Sequence, residues 1–291
     1  MKRTSTGIEE YSGDWGEKQV MHLLRRTLFG VSKTQLEHNK GLSFEQCIEQ
    51  VISYSPIPSP PVNDYEGNTN NPDPDIPFGE TWIAAPFFEN NNENRRRDSL
   101  KGWLIKNTIE QETTIHEKML LFLHNLLVVD RDNYTKLQFQ YFDLLRKNSL
   151  GNYKLLMHSL TLNPAMLRYL NGNDNTVKAP DENYGRELQE LFCIGKGPNS
   201  KYTESDVREA ARVLTGWKIY YNDIIEKGIP GSNFLEGSHD SGDKQFSEFY
   251  GNKIISGRTG SEAGAIELSE LLEMIFDNNE ASLYICRRLY T

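Results

Sequence analysis

Apolar residues recur at helical spacing through most of the chain. Over residues 17–29, Val20, Leu23, Leu24 and Phe29 share one stripe, Arg25 and Arg26 fall off it, and Gly30 follows as a stop. Ser32 with Gln35, and Ser43 with Gln46, have capping-box spacing and predict two short helices, the second ending near residue 53. The pattern then breaks. Residues 55–80 carry Pro56, Pro58, Pro60, Pro61, Pro72, Pro74 and Pro77 among many Asn and Asp. Helix and strand interiors both exclude such a run. It reads as a flexible loop excursion, with Trp82, Phe87 and Phe88 pinning its far end to the core.

Helical periodicity returns at residues 98–109. Thr114 with Glu117 has the spacing of a cap for a helix reaching 129, and residues 119–129 are apolar almost all round, which predicts the central buried helix. Helices follow at 134–147, 153–160 and 164–170, the last with Pro164 at its first position. After a polar turn at 171–178, Pro180 opens a helix to about 194, closed by Gly195 and Gly197, and Thr203 with Asp206 caps another to 214. Short strand-like runs at 219–221, 246–250 and 253–255 lie among Gly-rich turns before helices at 261–276 and 281–290. The expected fold is mainly α: a single-domain, multi-helix orthogonal bundle around a central buried helix, with a small β-hairpin near 217–256. The last helix has neither cap nor polar tail, so the chain reads as the front portion of a longer protein.

Composition narrows the function. The 291 residues carry a formal net charge of −9, which argues against a general nucleic-acid binder and against attachment to anionic lipid. A membrane span needs roughly 20 apolar residues, and the longest run is interrupted by His124 and Asn125. Lys2 and Arg3 are not followed by an apolar stretch, so no secretory signal is visible. Cys47, Cys193 and Cys286 are too widely spaced for a zinc pattern and odd in number for a disulfide framework.

Walker A, dinucleotide-binding glycine, HExxH and GxSxG signatures are absent. His116–Glu117 begins an HExxH, but Leu120 stands at the second histidine, and prolines spoil the calcium-loop spacing of Asp73 and Asp75. Three polar groups stand in awkward places. His124 lies within the most apolar helix. Glu187 falls inside the apolar arc of Leu188, Leu191, Phe192 and Ile194 when residues after Tyr184 are stepped at ~100°, with Glu190 and Asn183 on its margin and Glu182 and Arg186 pointing away. A carboxylate there needs a partner. Arg25, Arg26, Arg208 or Arg212 would make it a structural ion pair, with Arg186 a further ion-pairing arginine. Alternatively, the ExxE pair would hold a metal with a histidine from elsewhere. The third group is the loop His239–Asp240–Ser241–Gly242–Asp243–Lys244.

The same segments resemble the bacterial family catalogued as domain of unknown function 1800. The resemblance rests on His22-Leu-Leu-Arg-Arg-Thr-Leu-Phe-Gly30, Leu121-Phe-Leu-His-Asn-Leu-Leu127 and the stretch Asn163 to Gly172. It also rests on Asp181-Glu-Asn-Tyr-Gly-Arg-Glu-Leu-Gln-Glu-Leu-Phe-Cys-Ile-Gly195 with Tyr202 to Trp217, on His239 to Lys244, and on Arg287 to Tyr290. Leu126 and Leu123 replace a histidine and a tryptophan of the family pattern. The resemblance implies a chain continuing beyond this point and export to the periplasm or cell envelope.

Three functions are open. The favoured one is a non-catalytic accessory protein of the envelope, with envelope proteins or glycans as partners. The second is a metal-assisted hydrolase in which Glu187, His124 and Lys244 act catalytically and His124, Glu187, Glu190, His239 and Asp240 hold a divalent metal. The third is a glycan- or peptide-binding module using Trp82, Phe87 and Phe88.

Overall fold

The computed structural model describes residues 11–65, 72–84, 92–130, 134–220 and 230–290. Helix α1 (Glu17–Thr27) buries Val20 and Leu24, then the chain turns extended at Leu28 and leaves Phe29 exposed. Both expected capping boxes form, at the starts of α2 (Lys33–Lys40) and α3 (Phe44–Ile52). The Ser32 and Ser43 hydroxyls accept from the amides of Gln35 and Gln46, whose side chains accept from the cap amides in return.

Residues 61–65 and 72–82 of the Pro-rich segment are tied to the body of the protein. Asn63 is fully buried and donates to the Ile76 carbonyl at 2.8 Å, and Val62 bridges Thr81. Asp73, also buried, accepts from the Arg96 guanidinium at 3.0–3.2 Å and from the Tyr65 hydroxyl at 2.7 Å. Trp82 is fully enclosed with Ile76, Leu100 and Phe139. An unpaired carboxylate at this depth would cost several kcal/mol, so Arg96 on α4 (Glu93–Ile109) fixes the path of the segment.

Helix α5 (His116–Leu126) is not the central element. Leu120, Leu123 and Leu126 are buried, whereas Leu121 and Val128 are more than two-fifths exposed. Thr114 does not cap it. Ile115 occupies that position without a side-chain bond, and Glu117 turns to Arg146 instead. The main core lies among α5, α6 (Thr135–Lys147), α7 (Tyr153–Thr161) and the later helices. Helix α8 (Pro164–Tyr169) opens on Pro164, and a short 3-10 turn (Gly172–Asp174) follows. Helix α9 (Glu182–Glu187) continues as a π-helical stretch, Leu188–Cys193, and ends at Gly195, whose φ of +82° suits a residue without a Cβ. Helix α10 (Glu204–Val213) is capped by Thr203 and Asp206 as predicted.

Beyond Trp217, two separate two-stranded antiparallel sheets form. Strand β1 (Trp217–Tyr220) pairs with β2 (Gly231–Phe234), and β3 (Lys244–Gln245) pairs with β4 (Ile254–Ile255). The hairpin lies within the predicted region, but residues 248–250 form a 3-10 turn where the sequence suggested strand. Helices α11 (Ala263–Asp277) and α12 (Asn279–Tyr290) complete the described chain. No described helix is long and apolar enough to cross a membrane.

Candidate functional site

The most concentrated chemistry lies where the His239–Lys244 loop meets α10 and α11. Glu267, on α11, is fully buried and receives three neighbours. Lys244 Nζ approaches its Oε2 at 2.5 Å, the Arg258 amide donates to Oε1 at 2.8 Å, and His239 Nε2 faces Oε1 at 3.2 Å without hydrogen-bond alignment. Lys244, equally buried, also donates to the Asp240 carbonyl. His239 Nδ1 lies 3.0 Å from the Thr215 carbonyl, a contact that needs a proton on that nitrogen. Asp240 accepts from Arg212 Nε at 2.7 Å and Nη2 at 3.1 Å, and its amide donates to the Thr215 hydroxyl. Burial alone would push the Glu267 carboxyl up, but the His239 and Lys244 contacts hold it below the ordinary carboxylate range. The Arg212 hydrogen bond likewise depresses Asp240 against its partial burial.

Glu267 was missed in the sequence, although the signal was present. It precedes Leu271 by one helical turn and neighbours Leu268, so it is a carboxylate on an apolar stripe. That criterion picked out Glu187 instead, and there the helix geometry misleads. From Leu188 the backbone adopts the wider π turn, so a ~100° step loses phase. Leu191, expected inside, is 47% exposed, and Gln189 is fully buried. Gln189 donates to the Gly185 carbonyl and accepts from the Tyr250 hydroxyl at 2.8 Å.

Glu187 itself is half-buried, and its Oε2 has no hydrogen-bond partner. Desolvation and the nearby Glu190 raise its pKa, while Lys196 and Arg186 oppose the rise. The expected ion pairs to Arg25, Arg26, Arg208 or Arg212 do not form among the described residues. Arg25, Arg26 and Arg208 are exposed, Arg212 serves Asp240 and Glu209, Arg186 joins Glu182 to Glu204, and Glu190 pairs with Lys196. Asn183 lies in the first turn of α9, its amide donating to the capping Asp181 side chain.

His124 is a satisfied histidine of the core edge. Its Nδ1 lies 3.0 Å from the Tyr141 hydroxyl, which donates onward to the Leu127 carbonyl, and burial holds its pKa below the ordinary value. His116 is similarly engaged, with Ser149 and the Ser53 carbonyl. Among the described residues no three His, Cys, Asp or Glu side chains converge as a metal site requires. His124, Glu187, Glu190, His239 and Asp240 are not gathered into one such group. Trp82 is enclosed and offers no ring to a ligand. Phe87 and Phe88 lie outside the described residues.

Two clefts remain. One, of about 240 Å³, lies where residues 54–58 meet α4, α5 and α6, and its lining includes Asn107, Gln111 and Arg146. Arg146 holds Glu117 through two hydrogen bonds and stacks on Trp103, yet Arg146 Nη1, Asn107 Nδ2 and Gln111 Oε1 lack partners. The other, of about 480 Å³, runs along α1 and is floored by aromatic rings.

The structure defines a helical bundle closed by a buried His–Lys–Glu cluster. The model of the family described as "Protein of unknown function (DUF1800)" matches residues 22–291, and the chain belongs to that family. No curated protein and no solved structure gives a significant match.

Proposed function

We propose that this chain is a non-catalytic accessory protein of the bacterial cell envelope, acting by holding a partner rather than transforming a substrate. One observation carries the reading. The groups best suited to chemistry in the late signature, His239, Asp240 and Lys244, point at Thr215, Arg212 and Glu267 inside the protein. A catalytic carboxylate or lysine needs a free face toward substrate, and Lys244 and Glu267 are fully buried. Buried, mutually paired charges fix a unique arrangement of elements, here loop, α10 and α11.

The test is metal analysis of the purified protein with thermal melting in chelator. The reading expects no stoichiometric transition metal and an unchanged melting temperature. A tightly bound metal lost on His239→Ala would overturn it in favour of the hydrolase.

A glycan- or peptide-binding reading is favoured at one place only, the cleft beside residues 54–58, where three unpartnered polar atoms belong to its lining residues. Titration with neutral oligosaccharides, compared between the native chain and Gln111→Ala, tests it.

A further inference from the structure

We infer that the face of α1 is a docking surface for an acidic helical segment of a partner protein. Lys18, His22 and Arg26 stand four residues apart along α1 and all three are exposed. At ~100° per residue, each step of four turns only ~40°, so the three form one stripe, ~6 Å from one to the next along the axis. None of them has an ion-pair partner among the described residues. Of the described acidic neighbours, Glu17 pairs with Lys40 and Glu45 accepts from Ser43.

The stripe borders the larger cleft, whose floor is Tyr11, Trp15 and Phe44. Trp15 packs edge to face on Phe44, with centroids 5.1 Å apart, and on Tyr11, while Tyr11 tilts against Phe44, so the floor is preformed. Both His22 and Arg26 lie in the motif that begins the family resemblance, yet neither contributes to the core, whereas Leu24 of the same motif is fully buried. Two exposed cations without ion-pair partners among the described residues, Lys18 and Arg26, are out of keeping with a chain of net charge −9. Charge complementarity therefore selects an acidic occupant, and the apolar floor selects one that also carries an aromatic or aliphatic anchor. A helix with carboxylates at every fourth position repeats at the same ~6 Å as the stripe. This inference names the partner chemistry of the accessory reading and rests on it. Its test does not involve metal, so the two fail separately.

The probe is a fluorescein-labelled helical peptide with Glu at every fourth position flanking a Trp–Leu anchor. A Lys-for-Glu counterpart and vesicles of neutral and anionic phospholipid serve as further arms. Fluorescence anisotropy should show saturable binding of the Glu peptide to the native chain, weakened at least tenfold by the Lys18→Glu/Arg26→Glu double substitution and by raised salt. The Lys33→Glu control should bind as the native chain does. Circular dichroism melts identical to native would establish that the double variant is folded. Absence of saturable binding, equal binding of the Lys peptide, preferential capture by anionic vesicles, or a self-association abolished by the same double substitution would each overturn the inference.

Discussion

The Lys244 ammonium sits 2.5 Å from the Glu267 carboxylate, with both side chains wholly removed from solvent. Neither charge has water to fall back on, so each is tolerated only because the other is present. The pair ties β3 to the second turn of α11, and through Asp240 and Arg212 it reaches α10. The late signature of the chain is thus a clasp between elements distant in sequence.

Acid should open that clasp. Glu267 and Asp240 have folded-state pKa values below their unfolded ones. Their stabilisation is complete above the unfolded values of about 4.3 and about 3.9 and disappears as pH falls through the folded ones. The urea midpoint should hold from pH 7 to about 5 and drop steeply below about 4. Arg212→Gln should reduce the acid-sensitive part by removing what depresses Asp240. A midpoint independent of pH down to 3 would contradict this.

Lys136 gives an opposite, alkaline signature. Burial and the charge of Arg96, against Glu93 and Asp75, push it down to about 8. The unfolded chain then holds more protons between about 8 and about 10.4, so stability should rise with pH across that interval. In Lys136→Met this rise should be absent, as read by denaturant midpoints at pH 7.5 and 10.

Arg96→Met should cost about 3–5 kcal/mol, because it removes the guanidinium that neutralises the buried Asp73 carboxylate. The same change should release the Pro-rich segment. Limited proteolysis should then cut between residues 55 and 80 much faster than in the native chain, and equal cutting rates would refute the anchoring role.

Glu187 predicts a gain. Its pKa is raised in the folded state, so at neutral pH ionisation favours the unfolded chain. Glu187→Gln should raise the melting temperature by about 1–2 °C, with the gain vanishing as pH falls and the native carboxyl becomes protonated. A lowered melting temperature would mean that the carboxylate has a stabilising partner.

The helices were legible because their signals are local. The caps at Ser32, Ser43 and Thr203, Pro164 at a helix start and Gly195 at a helix end all act within a few residues, and all appear as expected. The Asp73–Arg96 pair was not, because it closes across more than twenty residues and depends on where the Pro-rich segment folds back. The facing of Leu191 was misjudged for a different reason. Helical-wheel reasoning assumes a constant turn, and the π segment begins at Leu188. The same reasoning applied to α11 would have found Glu267, where the helix is regular. Which residues contact Glu267 was beyond reach, since Lys244, Arg258 and His239 converge only in three dimensions.

A double-substitution cycle on the clasp tests the central claim most directly. Lys244→Met and Glu267→Met are melted singly and together in the full chain. If the pair is a structural lock, each single change should cost about 3–5 kcal/mol, and the double variant should be clearly more stable than the sum of the two losses requires. Single variants that melt like the native chain, or a double variant with fully additive losses, would show that the two charges do not depend on each other.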